Sequence, residues 1–404
     1  MSEEFESVVK LFAYAARGKE PEGIISADFK EVYRLAEEQS VWSVIYPLAK
    51  KLDEKGLFII PDEYKQMVEM KYFRRYMFLN TRREFMRELF SKLNAAGVEF
   101  CLLKGDAIAQ YYEEPLNKAS SDVDIKIRPE DVEVCNRILK ENNYTIEPLS
   151  PGMHHYECTH PVCGLLEVHV SFCMDITEDL CFKNAVAFDE DYRIENIEGL
   201  GEVNVMGYND GLVYLLMHYI KHFISTGAGI RQLMDIILYY ENNKNNIDHD
   251  KVREVVRGWG YEEFLDIIFA IGRKYLLSDE DFKAVESIKL EKVMSDIEKG
   301  GVFGYIDKDR LDFYNHYLKI KADAAGKSSK RTKKSLIHRL MPPEKELEIE
   351  YKYLEKCAAL YPVALIHRAV DIIIGMRRRS VKIKQIDAGK VNERVDMLKD
   401  VGLL

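Results

Sequence analysis

Glycine and proline are scarce in this 404-residue chain: 23 and 11, together 34 or about 8%, against a usual level near ~12%. Tight turns are therefore few and long helices are favoured, which excludes an all-β sandwich or a collagen-like chain. Long apolar runs are missing too. No stretch approaches the roughly 18 residues needed to span a bilayer, and the longest near the end, Val370 to Met376, is flanked by charge. The seven cysteines are an odd number scattered over a long chain, and the opening Met-Ser-Glu-Glu-Phe-Glu is acidic where a secretory leader is basic and then apolar. The expectation is a soluble, reduced, cytoplasmic protein. Nor is there an excess of basic charge. The 58 Lys and Arg against 68 Asp and Glu leave a net charge of −10, which argues against non-specific coating of nucleic acid.

What is present is an ordinary globular balance, 47% hydrophobic and 31% charged, with length for two or three domains at roughly 150 residues each. Over residues 1–95 the apolar positions recur at three and four, as in Val8, Leu11, Phe12 and Ala15, and later Phe85, Leu89 and Leu93. Four or five helices fit there, with Pro21, Pro47 and Pro61 expected between them. The pattern changes over 96–205. Val98 to Leu103 forms a short apolar strand closed by Lys104 and Gly105, and Val123, Ile125 and Ile127 alternate with Asp122, Asp124 and Lys126 as a second. Pro129 then opens a helix to Glu141, and further strand-like runs are Tyr144 to Ile146, His155 to Cys158, Leu165 to Phe172 and Glu202 to Val205. Helical periodicity returns over 206–404. The expected organisation is a small α/β core over 96–205 between an N-terminal helical region, 1–95, and a C-terminal one, 206–404, with a polar basic linker near Lys327 to Lys334.

Chemistry concentrates in Leu102-Leu-Lys-Gly-Asp106, Ser121-Asp-Val-Asp-Ile125 and Leu166-Glu-Val-His169. Residues two apart on a strand share a face, so Asp122 and Asp124 present two carboxylates side by side. Such a pair repels itself unless a cation sits between, and hard oxygen ligands suit Mg²⁺, which takes its remaining oxygens from water and substrate phosphates. Glu167, on another alternating strand, can complete a site for two ions about 3.5–4 Å apart that clamps an in-line displacement.

The order Lys-Gly, Asp-x-Asp on a strand and an acidic residue on a later strand resembles the DNA polymerase beta-type nucleotidyltransferase superfamily. More narrowly, Leu-Leu-Lys-Gly, Tyr-Tyr-x-x-Pro, Ser-Asp-Val-Asp-Ile, Leu-Glu-Val-His and the later Met-His-Tyr-Ile-Lys-His with Arg-Gln-Leu-Met-Asp resemble the uncharacterised bacterial nucleotidyltransferases with helical flanks. The resemblance is strongest over 98–240. It implies an α+β, mostly helical chain with a small mixed-sheet core, and transfer of a nucleoside monophosphate from an NTP such as ATP to an acceptor hydroxyl with release of pyrophosphate. It assigns Asp122 and Asp124 to metal, and Glu167 to metal or to the acceptor's proton. Gly105 would lie where backbone approaches the triphosphate, and Lys104, Lys118, His169 and Arg231 would be the nucleotide-side residues. Two departures stand out. Asp106 follows the glycine where Ser or Gly is common, placing an acid beside phosphate, although Asp106 also reads as an N-cap for a helix over 107–112. Lys118 replaces the usual Arg, keeping the charge without the bidentate fork. The alternative to an enzyme is a nucleotide-binding or adaptor protein that keeps the fold while Asp106 disfavours a productive triphosphate. A third reading is a phosphotransferase of the related aminoglycoside-modifying type.

Other clusters read more plainly. His154, His155, Cys158, His160, Cys163, His169 and Cys173 lie within twenty residues, but their spacing matches no regular Cys-x-x-Cys pair and alternation would turn several to opposite faces, so no structural zinc is expected. His169 differs, because it points with Glu167 and can hydrogen-bond a metal-bound water or phosphate. His218 and His222 share a helix face but lack the Glu of a zincin. Arg231 and Asp235, four apart, read as a helix ion pair or as an arginine reaching phosphate. The basic clusters at 330–334 and 377–384 have few nearby aromatics to stack on bases, so a small-molecule or protein acceptor is expected over RNA.

Overall fold

The computed structural model describes residues 1–147, 154–172, 188, 191–225, 227–280, 283–302, 360–367 and 388–404. The expected linker near 327–334 and the basic clusters at 330–334 and 377–384 lie outside the described residues. Two compact units are present, Met1–Arg310 with Met397–Leu404, and Leu311–Asp396. In the second, residues 361–367 are helical, and its end belongs to a helix over Ala388–Asp400. No helix of the described residues is long and apolar enough to cross a membrane.

The first unit opens with four helices, α1 (Glu3–Ala16), α2 (Phe29–Glu38), α3 (Trp42–Glu54) and α4 (Asp62–Ala95). Ser2 and Asp28 cap α1 and α2 by accepting from Phe5 and Lys30 N–H groups, which satisfies donors that a helix start leaves open. Pro47 lies inside α3, not between helices as expected. Six residues into the helix it removes one backbone bond, to the Ser43 carbonyl, and the packing of Val44, Ile45, Leu48 and Leu52 in the core outweighs that loss.

A seven-stranded mixed sheet follows: β1 (Phe100–Leu102), β2 (Asp122–Ile127), β3 (Thr145–Ile146), β4 (His155–His160), β5 (Gly164–His169), β6 (Tyr192–Ile197) and β7 (Gly201–Met206), in the order β3-β4-β5-β2-β1-β7-β6. Between the strands lie α5 (Asp106–Ala109) and α6 (Val132–Glu141). β6 pairs antiparallel with β7 and was not legible as a strand, because Ile194 on it is exposed and its run Tyr-Arg-Ile-Glu-Asn-Ile carries little apolar contrast.

One sheet face is core. Val123, Ile125 and Ile127 of β2, Leu166 and Val168 of β5, and Tyr156 and Cys158 of β4 pack with Met86, Leu89, Phe90 and Leu93 of α4 and with Ile138 and Leu139 of α6. Truncating one of these leucines to Ala would cost about 2–5 kcal/mol. The other face therefore receives the alternate residues, Asp122, Asp124 and Lys126, Leu165, Glu167 and His169, and His155 and Glu157. Four long helices complete the unit's C-terminal part: α7 (Tyr208–Ile224), α8 (Ile230–Asn243), α9 (His249–Trp259) and α10 (Glu262–Tyr275), followed by α11 (Ser287–Gly300).

Candidate active site

Register assembles the site. β2 and β5 run parallel with Asp124 opposite Glu167 and Lys126 opposite His169, and β4 runs antiparallel to β5 with Glu157 opposite Glu167 and His155 opposite His169. Two rows thus cross three strands on one face: Asp124, Glu167 and Glu157, and beside them Lys126, His169 and His155. Asp124 is 1% exposed, and an isolated buried carboxylate is expensive, so its partners decide its state.

The nearest cation is Lys104, which ends the turn after β1. Its Nζ lies 3.3 Å from Asp122 Oδ2 and 3.2 Å from Asp124 Oδ2. Burial opposes its charge, but Asp124, Asp122 and Glu167 outweigh burial and hold the ammonium above its ordinary pKa. Asp122 is also opposed by burial, and Lys104 keeps it below the usual carboxylate value; Ser121 Oγ donates to its other oxygen at 3.2 Å. Burial, helped by the Asp122 charge, raises Asp124 in spite of Lys104. For Glu167 the balance is reversed: burial raises it, but the His169 hydrogen bond and Lys104 hold it well below its ordinary value. His169 Nε2 stands 3.2 Å from Asp124 Oδ1 and 3.6 Å from Glu167 Oε2, and these two acids raise its pKa against the effect of burial.

Of the expected site residues, the structure brings Asp124, Glu167 and His169 within 4.8 Å of one another, with Asp122 joined to them through Lys104. Lys104, Gly105, Lys118, Asp122 and Arg231 line one small cavity of about 40 Å³. Gly105 has φ +65° and ψ −110°, a conformation that a side chain disfavours, so the turn that delivers Lys104 to the carboxylates requires glycine. Lys118 pairs with Asp235 at 3.4 Å, and Tyr112 OH donates to Asp235 at 2.7 Å. Of the two readings of Arg231, the ion pair with Asp235 does not form. Arg231 donates to the Ala119 carbonyl instead, because the loop before β2 presents its carbonyls to it.

Asp106 is not the N-cap of a helix over 107–112. It is the first residue of α5, which ends at Ala109, and its carboxylate is bound by Arg83 Nε at 2.7 Å. The acid beside the turn is thus neutralised from α4. Arg82, 1% exposed, donates to the Ser120 carbonyl at 3.1 Å, and Arg75 does so at 2.7 Å. Sequence reading missed these arginines, although a signal existed: Leu79, Arg82, Arg83, Met86 and Phe90 form one continuous helical stripe, and charge on a core stripe marks a buried partner.

A second cavity of about 200 Å³ opens over Asp124 and Glu167, walled by His155 of β4, by His154 just before it, and by His218 and His222 from α7. A third, about 370 Å³, borders Ser121 and Arg231 and is lined by Trp42, Lys71, Tyr72 and Arg75.

A mixed sheet that gathers carboxylates from adjacent strands beside a Lys-Gly turn defines a nucleotidyltransferase-type core. The chain belongs to the family described as uncharacterised nucleotidyltransferase, whose model matches residues 26–276. No curated protein matches the sequence significantly. Among solved structures, the chain is similar to the antibiotic-resistance factor ANT(2'')-Ia, at 11% identity over 44% of this chain and 91% of that one, with a TM-score of 0.34. It is also similar to an antigenic nucleotidyltransferase-like protein from Paracoccidioides brasiliensis, at 14% identity over 54% and 92%, TM-score 0.30. A tRNA-processing enzyme in an apo form matches at 16% identity over 85% and 99%, TM-score 0.25.

Proposed function

We propose that the chain moves a nucleoside monophosphate from an NTP to an acceptor hydroxyl, with release of pyrophosphate, and that it works with Mg²⁺, as a pair of ions, held by Asp122, Asp124 and Glu167. The observation that carries this reading is the convergence of three carboxylates from β2 and β5 on one sheet face with Lys104 as the ammonium between two of them. Three acids facing one lysine leave net negative charge in a buried site, and the ligands are all oxygen, which fits a hard divalent cation. When bound, such ions neutralise charge on the phosphoryl oxygens during an in-line displacement.

The two sides of the carboxylates differ in chemistry. Toward β1 the 40 Å³ cavity gathers Lys104, Lys118, Arg231 and the Gly105 turn, cations suited to a triphosphate. Toward β4 the 200 Å³ cavity sets imidazoles and the ring of Tyr214 beside the carboxylates, Lys104 and Lys221, a wall of donors and acceptors suited to a hydroxyl-bearing acceptor. In this arrangement the acceptor oxygen bonds to the α-phosphorus, the bond from that phosphorus to the bridging β-oxygen breaks, and pyrophosphate leaves on the lysine side. Glu167, ionised and on the strand next to β4, is placed to receive the acceptor's proton. The Arg83–Asp106 pair supports the enzyme over a degenerate binding protein, because the acid that would repel a triphosphate already has its counter-ion. The acceptor expected is a small molecule or a protein hydroxyl. The experiment is pyrophosphate release by the purified chain with NTP, Mg²⁺ and a cell extract as acceptor source. Release that requires all three and is lost in Asp124→Asn supports the proposal, and equal release by that variant contradicts it.

A further inference from the structure

The row beside the carboxylates holds imidazoles. His155 and His169 are cross-strand partners, and His154 lies just before β4, so strand alternation does not turn it to the opposite face. One ring nitrogen from each of His154, His155 and His169 lies within 4.8 Å of the others. His154 Nε2 and His155 Nδ1 are 3.0 Å apart, close to the roughly 3.3–3.4 Å that separates two nitrogens bound at 2.0–2.1 Å to one tetrahedral ion.

His169 supplies a second, independent observation. The residue is 4% exposed, its Nε2 is engaged by Asp124 at 3.2 Å, and its Nδ1 is buried with no hydrogen-bond partner. A histidine that ligates a metal typically gives its other ring N–H to a carboxylate, which fixes the tautomer and leaves the bare nitrogen for the ion. A structural histidine would leave that buried nitrogen unsatisfied at a cost of about 1–3 kcal/mol. The ring is therefore set up as a ligand. Glu157 also comes within 4.8 Å of His155, in a group with Glu167, so a fourth ligand is at hand, and the 200 Å³ cavity gives access.

We propose that His154, His155 and His169 form a site for one borderline divalent cation of the Zn²⁺ class, distinct from the all-oxygen Mg²⁺ site on Asp122, Asp124 and Glu167. Imidazole nitrogen discriminates in favour of such ions and against Mg²⁺. The site faces the cavity assigned to the acceptor, where an open coordination position would take an acceptor oxygen. It does not depend on nucleotidyl transfer, because its ligands and geometry stand whatever reaction the carboxylates perform.

The test uses the full chain stripped of metal with EDTA and titrated with Co²⁺, read by its visible absorption, then with Zn²⁺ by calorimetry. One equivalent of Co²⁺ with the spectrum of a nitrogen-ligated ion, displaced by Zn²⁺ and not by a large excess of Mg²⁺, is expected. His155→Ala and His169→Gln should each weaken binding by about 10–100-fold or more, with melting curves confirming that each variant is folded. His154→Gln serves if either is not. Asp122→Asn should leave Co²⁺ binding unchanged. Binding that survives the histidine variants, or that is lost to Mg²⁺ or to Asp122→Asn, overturns the assignment. A chain that binds Co²⁺ as expected but releases no pyrophosphate would overturn the proposed activity and leave this site standing.

Discussion

Lys104 is the counter-ion of buried Asp124 and partly buried Asp122, and its removal is the sharpest probe of how the site is held. In Lys104→Met the stem stays and the charge goes, leaving Asp122, Asp124 and Glu167 facing one another. At an effective dielectric constant of about 20, each charge contact of Lys104, at 3.3 and 3.2 Å, carries roughly 5 kcal/mol of attraction. Desolvation of the ammonium cancels several kcal/mol of the sum. The loss also has a ceiling, since one carboxylate can take a proton: from an ordinary value near 4 to pH 7 that costs about 4 kcal/mol at about 1.4 per unit. The net expectation is a loss of about 3–4 kcal/mol, or roughly 5–6 °C in the melting temperature of a unit this size. Mg²⁺ should then act differently on the two proteins. In the wild type the ion competes with the ammonium and the gain is small, whereas in Lys104→Met it replaces the missing charge, and at 100-fold above its dissociation constant it returns about 2.7 kcal/mol. Differential scanning calorimetry with EDTA and with Mg²⁺ measures both. A variant that melts within about 1 °C of wild type in EDTA, or one that Mg²⁺ stabilises no more than wild type, would refute the reasoning.

Three further outcomes follow from the same geometry. Asp124→Asn should abolish transfer while leaving the melting temperature in EDTA unchanged or raised, because it removes one of three like charges; near-normal transfer would contradict the metal assignment. Glu167→Gln should lower turnover by about 10²-fold or more in steady-state kinetics, and an effect confined to NTP affinity would move Glu167 out of the reacting centre. His222 faces Lys104, Lys221, His218, Asp122 and Glu167, and burial first, then the two lysines, hold its imidazole down to about 3. A folded value below the unfolded one near 6.5 means that the unfolded chain takes up protons first, so this contribution is whole above pH ~6.5 and is lost as pH falls toward 3. The gap is worth at most about 5 kcal/mol, and about 1–3 for a ring half-buried against a cavity. His222→Gln should therefore flatten the fall in melting temperature between pH 6.5 and 4, and an unchanged slope would contradict this account.

Much of the site was legible because it rests on period two. The shared face of Asp122, Asp124, Glu167 and His169 follows from alternation once Val123, Ile125, Leu166 and Val168 are recognised as core, and the resemblance to nucleotidyltransferases singled out Gly105, which stands at positive φ. The partners were not legible, since Asp106 finds Arg83 and Lys118 finds Asp235 across separations of 23 and 117 residues, and no local rule reports such pairings. Arg231 illustrates the limit: helix spacing predicts a pair with Asp235, yet a loop carbonyl at Ala119 claims the guanidinium. The meeting of the histidines was not legible for a related reason. Ligand-spacing rules describe sites built from one turn, whereas His155 and His169 meet through an antiparallel pairing and His154 escapes alternation by standing outside the strand.

Whether the carboxylates on β2 and β5 move the α-phosphoryl group of an NTP is read from the fate of labelled phosphate. With Mg²⁺ and a fractionated acceptor pool, α-labelled NTP should leave its label on acceptor in the presence of the wild-type chain and not of Asp124→Asn, while γ-label should appear only in pyrophosphate. Label reaching the acceptor from the γ-position, or equal α-labelling by Asp124→Asn, would contradict the account.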